Sequence, residues 1–429
     1  PPLFFFHAED GRRFQPRSRG LGDVYKRQCQ YFVPEPSAPS ARISELAQEW
    51  VTDGHEVTVL TGMPNHPDGI VLDEYRGKII ADEKIADVNV LRSWLYATPN
   101  EGILRKTLSH LSFMISTVML SLPRLNKIDV IIVSSPTFLS AFAGLFMSKI
   151  RRVPFVFEVR DLWPAVFVDL GILSNVFLIR VLESWEMFLY TQAALVVVVT
   201  KSFRDKLIER GLSAEKITVV SNGAVVNRYE PGDKNDDLCS GLGISNKFVV
   251  SYIGAHGISQ GVETVMEAAA TLRDLDDIVF MFVGDGAMKN DMVIMKNDRG
   301  LQNVVMLPAQ SKERVPDLYR ASDVCIVPLR DIPLFDSFVP SKMFEIMSCG
   351  IPIIGSVNGE AREILELSGS AMIISPESVS ALAGSILWMV ENPQKRKMMG
   401  ISGRTFVCEH YDRTTLAKKY VGHLKRILK

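Results

Sequence analysis

Short apolar, β-branched runs alternate with helical patterns along most of the chain. They predict strands at residues 56–60, 88–94, 129–134, 154–159, 195–199, 216–220, 247–253, 277–283, 303–307, 323–327, 351–354 and 371–374. Residues 40–51 repeat apolar side chains three and four positions apart, which is typical of an amphipathic helix. Because the runs show little polar alternation, we expect parallel strands that helices cover on both faces.

The run SNGAVVNRYEPGDKNDDL, residues 221–238, separates two such halves and is rich in turn-forming residues. We therefore predict an α/β protein of two Rossmann-like, doubly wound parallel-sheet domains that face each other across a cleft. The first domain would span residues 29–225 and would also include a C-terminal helix at 411–429 that crosses back to it. The second domain would span residues 226–410. Ligands of such sheets bind at the carboxyl ends of the strands, so the cleft is the expected site.

Composition narrows the class of protein. The chain has 429 residues, of which 47% are hydrophobic and 23% charged, and a formal net charge of −1. This balance favours packed globular domains and argues against a nucleic-acid binder. Five cysteines without a C-x-x-C pair argue against a disulfide scaffold and a structural zinc site, and favour a reducing compartment. We expect no membrane-spanning helix, because no apolar run reaches about 18 residues.

Residues 1–28 show no hydrophobic periodicity and end in SRGLGDVYKRQ. That ending resembles a translated sequencing-adapter sequence, so we predict that the segment is not native to the protein. The alternative is a genuine disordered tail. The following CQYFVPEP is typical of the end of a first strand, and residues 24–33 could supply a replacement for its missing part.

The segment PLRDIPLFDSFVPSKMFEIMSCGIPII, residues 328–354, carries candidate chemistry. A helix is predicted to begin near Ser341, which would aim free N–H groups into the cleft. Lys342 and Glu345 are three positions apart and share a face of that helix. A cation beside a phosphate and a carboxylate within reach of ribose hydroxyls suit a nucleotide diphosphate. The alternative is a surface ion pair at an ordinary helix start.

Glycine-rich turns follow two predicted strands of the second half. They are GAHGISQG (residues 254–261) and VGDG (283–286), and MLPAQ (306–310) follows a third predicted strand at the related position. Glycine lets backbone N–H groups approach a phosphate closely, although many such turns only close a βα connection.

The run PSK-x-FE-x-M-x-x-G-x-P resembles the donor-binding signature of glycosyltransferase family 4, retaining enzymes of the GT-B fold. QYFVPEPSAPSARISELAQEW, GHEVTVLTGMPNHPDG and EVRDLWP resemble its bacterial O-antigen and capsule branch, which includes N-acetyl-fucosamine-type amino-sugar transferases. The resemblance runs from about residue 30 to the end of the chain. It implies transfer from a nucleotide-sugar, a UDP-linked amino sugar, to a polyprenyl-linked saccharide, with retention and with neither metal nor cofactor.

The resemblance also implies roles for residues of the second domain. Lys342 and Arg330 would stabilise the leaving diphosphate. Ser337 stands where many members have a first glutamate, so Asp336 would replace that acid. The remaining donor-binding residues would be Glu345, Ser341, Gly254, His256, Gly257, Gln260, Gly284, Gly286 and Leu307.

In the first domain the implied acceptor-side residues are Ser37, Ser40, Arg42, His66 and Arg160. Asp161 would either orient the acceptor hydroxyl or cap the next helix. His66 is in a loop, where a histidine without catalytic function is the alternative.

Residues 103–152 carry seven Lys or Arg and one acid, and are rich in Leu, Met and Phe. Such a surface indicates docking to an anionic membrane, here the inner face of the cell membrane. The alternative is a pair of core helices with a solvated basic rim. Two other functions stay open, a nucleotide-sugar epimerase of the same architecture and a non-catalytic GT-B scaffold.

Overall fold

A computed structural model describes residues 23–35, 38–66, 68–99, 102–125, 127–135, 138–169 and 171–428. The strands are β1 Val24–Gln28, β2 Glu56–Gly62, β3 Ile80–Ile85, β4 Val88–Ser93, β5 Val130–Ser134, β6 Phe155–Val159, β7 Leu195–Val198, β8 Ile217–Val219, β9 Phe248–Ile253, β10 Ile278–Val283, β11 Val304–Leu307, β12 Val324–Pro328, β13 Ile353–Ser356 and β14 Ala371–Ile374. The α-helices are α1 Ala38–Thr52, α2 Ile103–Ser116, α3 Phe138–Arg151, α4 Ala165–Asp169, α5 Val176–Gln192, α6 Lys201–Glu209, α7 Asp236–Gly241, α8 Val262–Thr271, α9 Lys289–Asp298, α10 Val315–Arg320, α11 Lys342–Ser348, α12 Gly359–Ser368, α13 Val379–Glu391, α14 Pro393–His410 and α15 Arg413–Ile427.

The first sheet has eight strands in the order β3-β4-β2-β1-β5-β6-β7-β8. All neighbours pair in parallel except β3, which runs antiparallel to β4 at one edge. The predicted parallel pairing therefore holds for this sheet except at the β3 edge, and β3 was not predicted. Its sequence IADEKI is half-exposed and charged, which suits an edge strand because charge there discourages pairing with other chains.

Strand β1 lies in the middle of this sheet, between β2 and β5. Lys26 and Arg27 are fully buried there, whereas the neighbouring strands supply Val and Ile. The Lys26 ammonium contacts the Met147 sulfur at 3.0 Å, and burial lowers the pKa of Lys26 well below its usual value. A strand therefore forms within residues 24–33 as expected, but it ends at Gln28. Residues 1–22 lie outside the described residues, so the non-native origin of residues 1–28 stays a prediction.

The second sheet has six parallel strands in the order β11-β10-β9-β12-β13-β14. Apolar residues fill both of its faces, because helices pack on each side. The predicted class, two Rossmann-like parallel-sheet domains, is confirmed by this arrangement and by the structural neighbours given below.

Helix α15 returns from the second domain and packs on α1 of the first. The Trp50 indole N–H donates to the Ala417 carbonyl at 3.2 Å, and its ring meets Tyr420 edge-on. An isolated parallel β-bridge between Ala224 and Asp412 joins the two segments in which the chain passes from one domain to the other. The first domain's core therefore includes the last described helix.

The domains also meet at the carboxyl ends of their strands. The Glu360 carboxylate, on α12, accepts from the backbone N–H groups of Lys201 and Ser202 at the start of α6, at 2.9 and 2.7 Å. The Glu45 carboxylate of α1 forms an ion pair at 3.2 Å with Lys312, which follows β11. These contacts place the cleft where the strand ends of both sheets converge.

Candidate functional site

Two glycine loops lie against each other at the carboxyl ends of β9 and β10. Gly254, Gly284 and Gly286 have φ of +142°, +144° and +151°. A Cβ on Gly284 would lie 1.9 Å from the Gly254 carbonyl oxygen, and one on Gly286 would lie 2.4 Å from that of His256. No larger residue fits these positions without moving backbone, so these glycines permit the close contact of the two loops.

His256 is fully buried beneath these loops. Its ring lies between Tyr252 and Phe282, with centroid distances of 5.7 and 6.4 Å. Burial, with the nearby ammonium groups of Lys289 and Lys342, lowers the pKa of His256 to about 4. The imidazole is therefore neutral near pH 7 and supplies no positive charge to a phosphate.

Gln260 and Leu307 serve the loops in other ways. The Gln260 side-chain oxygen accepts from the Gly257 N–H at 3.1 Å and closes its own turn. The Leu307 carbonyl oxygen accepts from the Lys289 ammonium at 2.9 Å, and the same ammonium donates to the Gly284 carbonyl. Lys289 thus ties the loops after β10 and β11 together.

Lys342, at the start of α11, extends into this edge of the sheet. Its ammonium lies 3.8 Å from the centre of the Tyr252 ring and 2.6 Å from the position of a Cβ on Gly254. In the part of the chain that the structure describes, this ammonium has no hydrogen-bond partner. Burial lowers the pKa of Lys342 to about 7, although Glu345 opposes the shift. A buried cation without a partner is ready to receive an anion.

Glu345 follows one turn later on α11 and accepts from the Tyr319 hydroxyl at 3.2 Å. Burial and the Glu45 carboxylate raise the pKa of Glu345, while Lys312 lowers it. Ser341 precedes the helix, and its side chain makes no capping hydrogen bond there. The backbone N–H groups of Met343 and Phe344 in the first turn of α11 already donate to the Pro340 and Ser341 carbonyls, at 3.2 and 3.1 Å, so the expectation of free donors at this helix start was wrong for these two groups.

Arg330, the second predicted cation, is half-exposed and forms ion pairs with Glu263 at 3.2 Å and Glu377 at 3.7 Å. Its backbone N–H donates to the Ser259 carbonyl, which fixes the loop after β12 beside the first glycine turn. Arg330 thus lies near the glycine turn, but its guanidinium is already neutralised by carboxylates.

Asp336 and Ser337 differ sharply in exposure. The Asp336 side chain is exposed, and its backbone packs tightly on Gly359. Ser337 is buried, donates to the Leu334 carbonyl at 2.6 Å and accepts from the Lys206 ammonium of the first domain at 3.1 Å. Where many family members are expected to have an acid, this chain therefore has a domain-bridging hydrogen bond.

In the first domain, Arg160 and Asp161 follow the carboxyl end of β6. Burial and the Arg42 guanidinium lower the pKa of Arg160 to about 10, and burial raises that of Asp161 although Arg160 opposes it. The Arg160 backbone N–H donates to the Ser135 hydroxyl at 2.8 Å. Both side chains thus stand close together at the strand end that faces the cleft.

Arg42 is buried and fully engaged within the protein. Its Nε donates to the Glu158 carboxylate, and its Nη atoms donate to the Val220 and Ser221 carbonyls, each at 2.8 Å. Because these contacts hold Arg42 inside the protein, its role is structural, and it does not face an acceptor as the resemblance implied. Ser40 is also buried on α1, and Ser37 lies outside the described residues.

His66 lines a small polar pocket, the N-pocket, that the sequence did not reveal as a unit. Its other lining residues are Tyr31, Asn65, Thr98, Pro99, Lys106, Ser109 and His110. The His66 ring packs on Tyr31 at 5.1 Å. Burial lowers the pKa of His66, and Lys106 adds to this effect while Asp68 opposes it.

Two family profiles cover most of the chain. The profile described as "Glycosyl transferase 4-like domain" matches residues 37–223, and the one described as "Glycosyl transferases group 1" matches residues 240–406. Together they match more than half of the chain, one in each structural domain. The chain belongs to the GT-B glycosyltransferases.

Two curated relatives and one solved structure are similar to this glycosyltransferase. A protein of Escherichia coli strain K12, named as the colanic acid biosynthesis glycosyl transferase WcaI, is 28% identical over 400 residues, covering 91% of this chain and 95% of its own. The Escherichia coli UDP-Gal:alpha-D-GlcNAc-diphosphoundecaprenol alpha-1,3-galactosyltransferase is 29% identical over 151 residues, 34% of this chain and 38% of its own. The crystal structure of Anabaena Alr3699/HepE in complex with UDP and glucose has a TM-score of 0.70 and 19% identity, covering 94% of this chain and 99% of its own.

Two further features of this glycosyltransferase concern membranes and metals. Among the helices that the structure describes, none is long and apolar enough to cross a membrane. No cluster of three or more His, Cys, Asp or Glu suited to a metal ion occurs in the described ranges. The expected independence from metal and cofactor stays a prediction.

Proposed function

We propose that this glycosyltransferase moves a sugar from a UDP-linked donor, an N-acetylated amino sugar, to a lipid-linked saccharide in bacterial surface polysaccharide synthesis. The observation that carries the donor site is the buried Lys342 ammonium, which lies without a hydrogen-bond partner among the described residues beside the Gly254 backbone. A diphosphate at this point would supply the missing partner. The name of the WcaI relative and the UDP in the Anabaena structure support this assignment.

The proposed chemistry is transfer with retention of the anomeric configuration. The acceptor hydroxyl oxygen bonds to the anomeric carbon on the face that the diphosphate leaves, and the bond from that carbon to the phosphate oxygen breaks. The hydroxyl proton passes to the departing phosphate oxygen. Lys342 stabilises the negative charge that grows there, which is an electrostatic contribution that strengthens in the transition state.

The other donor contacts follow from the positions of the side chains. Glu345, on the same helix, accepts from the ribose hydroxyls. Arg330 contributes only when the donor diphosphate displaces its ion pairs with Glu263 and Glu377. Asp336 is exposed and free to turn toward the sugar, and Asp161 orients the acceptor hydroxyl.

We further propose that the first domain docks on the inner face of the cell membrane. Helices α2, α3 and α5 pack side by side and expose an apolar face that comprises Leu104, Leu108, Leu111, Ile115, Phe146, Ile150, Phe177, Trp185 and Phe188. Leu104 and Phe177 are 74% and 79% exposed. Exposed Arg105, Arg124 and Lys149 add positive charge at this side, which suits anionic lipid headgroups.

Sedimentation with vesicles tests the docking. Vesicles that contain phosphatidylglycerol should bind the protein, and salt should release it because surface charges are screened. The triple variant Arg105→Glu, Arg124→Glu, Lys149→Glu should stay in the supernatant, and Lys397→Glu in the second domain should bind like wild type. Binding that ignores both salt and the triple variant would contradict the docking.

Donor-dependent acceptor extension tests the function. The protein is incubated with a panel of UDP-sugars and with lipid-linked saccharides from bacterial membranes, and products are identified by mass spectrometry. A transferase extends the acceptor, whereas an epimerase would only convert the donor sugar and a scaffold would do neither. Lys342→Ala should lower kcat about 100-fold, as removal of one preorganised donor does in other enzymes. The matched surface change Lys397→Ala should have no effect, and an unchanged kcat in Lys342→Ala would refute the donor site.

A further inference from the structure

The N-pocket, defined above by His66, Lys106 and their neighbours, lies at the edge of the first sheet that faces the cleft. Its walls come from the loops that follow β1, β2 and β4 and from helix α2. These three strands are parallel neighbours, so their carboxyl ends meet at one edge. The Glu35 carboxylate holds the first two loops together, because it accepts from the backbone N–H groups of Asn65 and His66 at 2.9 and 3.0 Å.

The pocket is fixed from below by Gln30. The Gln30 amide nitrogen donates to the Ser109 hydroxyl at 3.3 Å, and its amide oxygen contacts the His110 Nδ1 atom. With the hydrogen on Nδ1, the other ring nitrogen of His110 carries a lone pair and can only accept a hydrogen bond. Burial, assisted by Lys106, lowers the pKa of His110 to about 4.

The charge of the lining favours an anion. Lys106 contributes an ammonium group, and Tyr31 and Ser109 carry hydroxyl donors, whereas His110, with a pKa of about 4, is neutral near pH 7 and adds no charge. Among the lining residues that the structure describes there is no carboxylate. The enclosed volume is only about 10 Å³, which suits one oxygen atom of a group that enters from the mouth and excludes a sugar ring.

Helix α2 connects this pocket to the apolar face. Lys106, Ser109 and His110 line the pocket, whereas Leu104 and Leu108 of the same helix are exposed. A ligand with a phosphate in the pocket would therefore have its lipid chain beside the exposed leucines.

We propose that the N-pocket binds the phosphate group through which a lipid-linked acceptor is joined to its lipid, with one phosphate oxygen entering the pocket beside the Lys106 ammonium. This assignment rests on the proposed function, because it presumes a lipid-linked acceptor. It gives the acceptor two anchors, the phosphate in the N-pocket and the chain on the apolar face, while the saccharide extends toward the donor.

A direct binding measurement tests the pocket without relying on transfer. Farnesyl diphosphate serves as the probe, and saturating UDP is present to occupy the donor site. We expect calorimetry to show binding to wild-type protein and a loss of about tenfold or more in Lys106→Ala, because a charge-assisted hydrogen bond is lost. Lys106→Arg should retain binding, and the exposed Lys397→Ala in the second domain is the matched control. Equal affinity in wild type and Lys106→Ala would overturn the proposal.

A kinetic measurement separates the acceptor phosphate from other sources of phosphate. Lys106→Ala should raise the acceptor KM about tenfold for a saccharide on prenyl diphosphate and leave it unchanged for the same saccharide on a phosphate-free alkyl chain. An equal effect on both acceptors would overturn the proposal. If no UDP-sugar extends either acceptor, the proposed function fails, while the farnesyl diphosphate measurement still decides the pocket.

Discussion

Donor binding should be coupled to proton uptake by Lys342. The pKa of Lys342 is about 7 in the unliganded protein because the ammonium is buried. The diphosphate of a UDP-sugar is fully ionised near neutral pH, so it binds the protonated form of Lys342 more tightly than the neutral form. Donor binding therefore raises the pKa of Lys342 in the complex. The protein must therefore take up a proton whenever it binds donor above pH 7.

The size of this effect follows from the pKa. A lysine with a pKa of about 7 is about 90% protonated at pH 6 and about 10% protonated at pH 8, so donor binding should take up about 0.1 and about 0.9 proton respectively. Donor affinity should fall about tenfold per pH unit above pH 7. The pH dependence of the stability of the unliganded protein follows from the same pKa. Between pH 7 and the ordinary lysine pKa, Lys342 is protonated in the unfolded state and mostly unprotonated in the folded state. The free energy of unfolding should therefore rise with pH in that window.

Calorimetry in two buffers that differ in ionisation enthalpy measures this uptake directly. At pH 8 the apparent binding enthalpy of a UDP-sugar should depend on the buffer for wild type and for the surface variant Lys397→Met, and should not depend on it for Lys342→Met. At pH 6 the dependence should nearly vanish for all three proteins. Equal uptake at pH 8 in wild type and Lys342→Met would assign the proton to another group and refute the reasoning.

Three further predictions concern stability. Lys26→Leu should raise the free energy of unfolding in urea at pH 7, on the order of 2 kcal/mol, because a buried amine is removed; the gain should shrink as pH rises and the wild-type lysine loses its proton more easily. Gly284→Ala should lower the free energy of unfolding by about 2 kcal/mol and weaken UDP binding, since its Cβ would meet the Gly254 carbonyl at 1.9 Å. Glu360→Gln should cost about 1 kcal/mol in thermal unfolding, because the carboxylate that caps α6 across the domains loses its charge.

Each of these has a result that would contradict it. An unfolding curve of Lys26→Leu that matches wild type at every pH would contradict the first prediction. A Gly284→Ala variant that unfolds and binds UDP like wild type would contradict the second. The third would be contradicted if Glu360→Gln had the same melting temperature as a surface variant such as Glu391→Gln.

Hydrophobic pattern alone was enough to predict most of the strands. The twelve predicted runs each correspond to a strand of the structure, because strands buried on both faces consist almost wholly of apolar residues. The other two strands break this rule for different reasons. β3, which was missed, is a charged edge strand. β1 was expected within residues 24–33 only as a replacement for part of a first strand, because its buried Lys26 and Arg27 interrupt any apolar pattern.

The candidate site was predictable only in part. Lys342 and Glu345 could be found because a short motif on one helix sets their spacing, and the glycine turns could be found because φ near +140° demands glycine. The sequence could not reveal the ion pairs of Arg330 or the internal hydrogen bonds of Arg42, because their partners are distant in sequence. The N-pocket joins segments from Tyr31 to His110, so only the sheet order brings them together.

The return of α15 to the first domain has a consequence for synthesis on the ribosome. Trp50 and Ala417, which share a hydrogen bond in the first domain's core, are 367 residues apart in the chain. At the usual elongation rates of about 5–20 residues per second, the chain needs roughly 20–70 s to extend from one to the other. The first domain emerges early but exposes the surface of α1 until α15 arrives, while the second domain can fold at once. We therefore expect the nascent first domain to be the segment that chaperones hold longest.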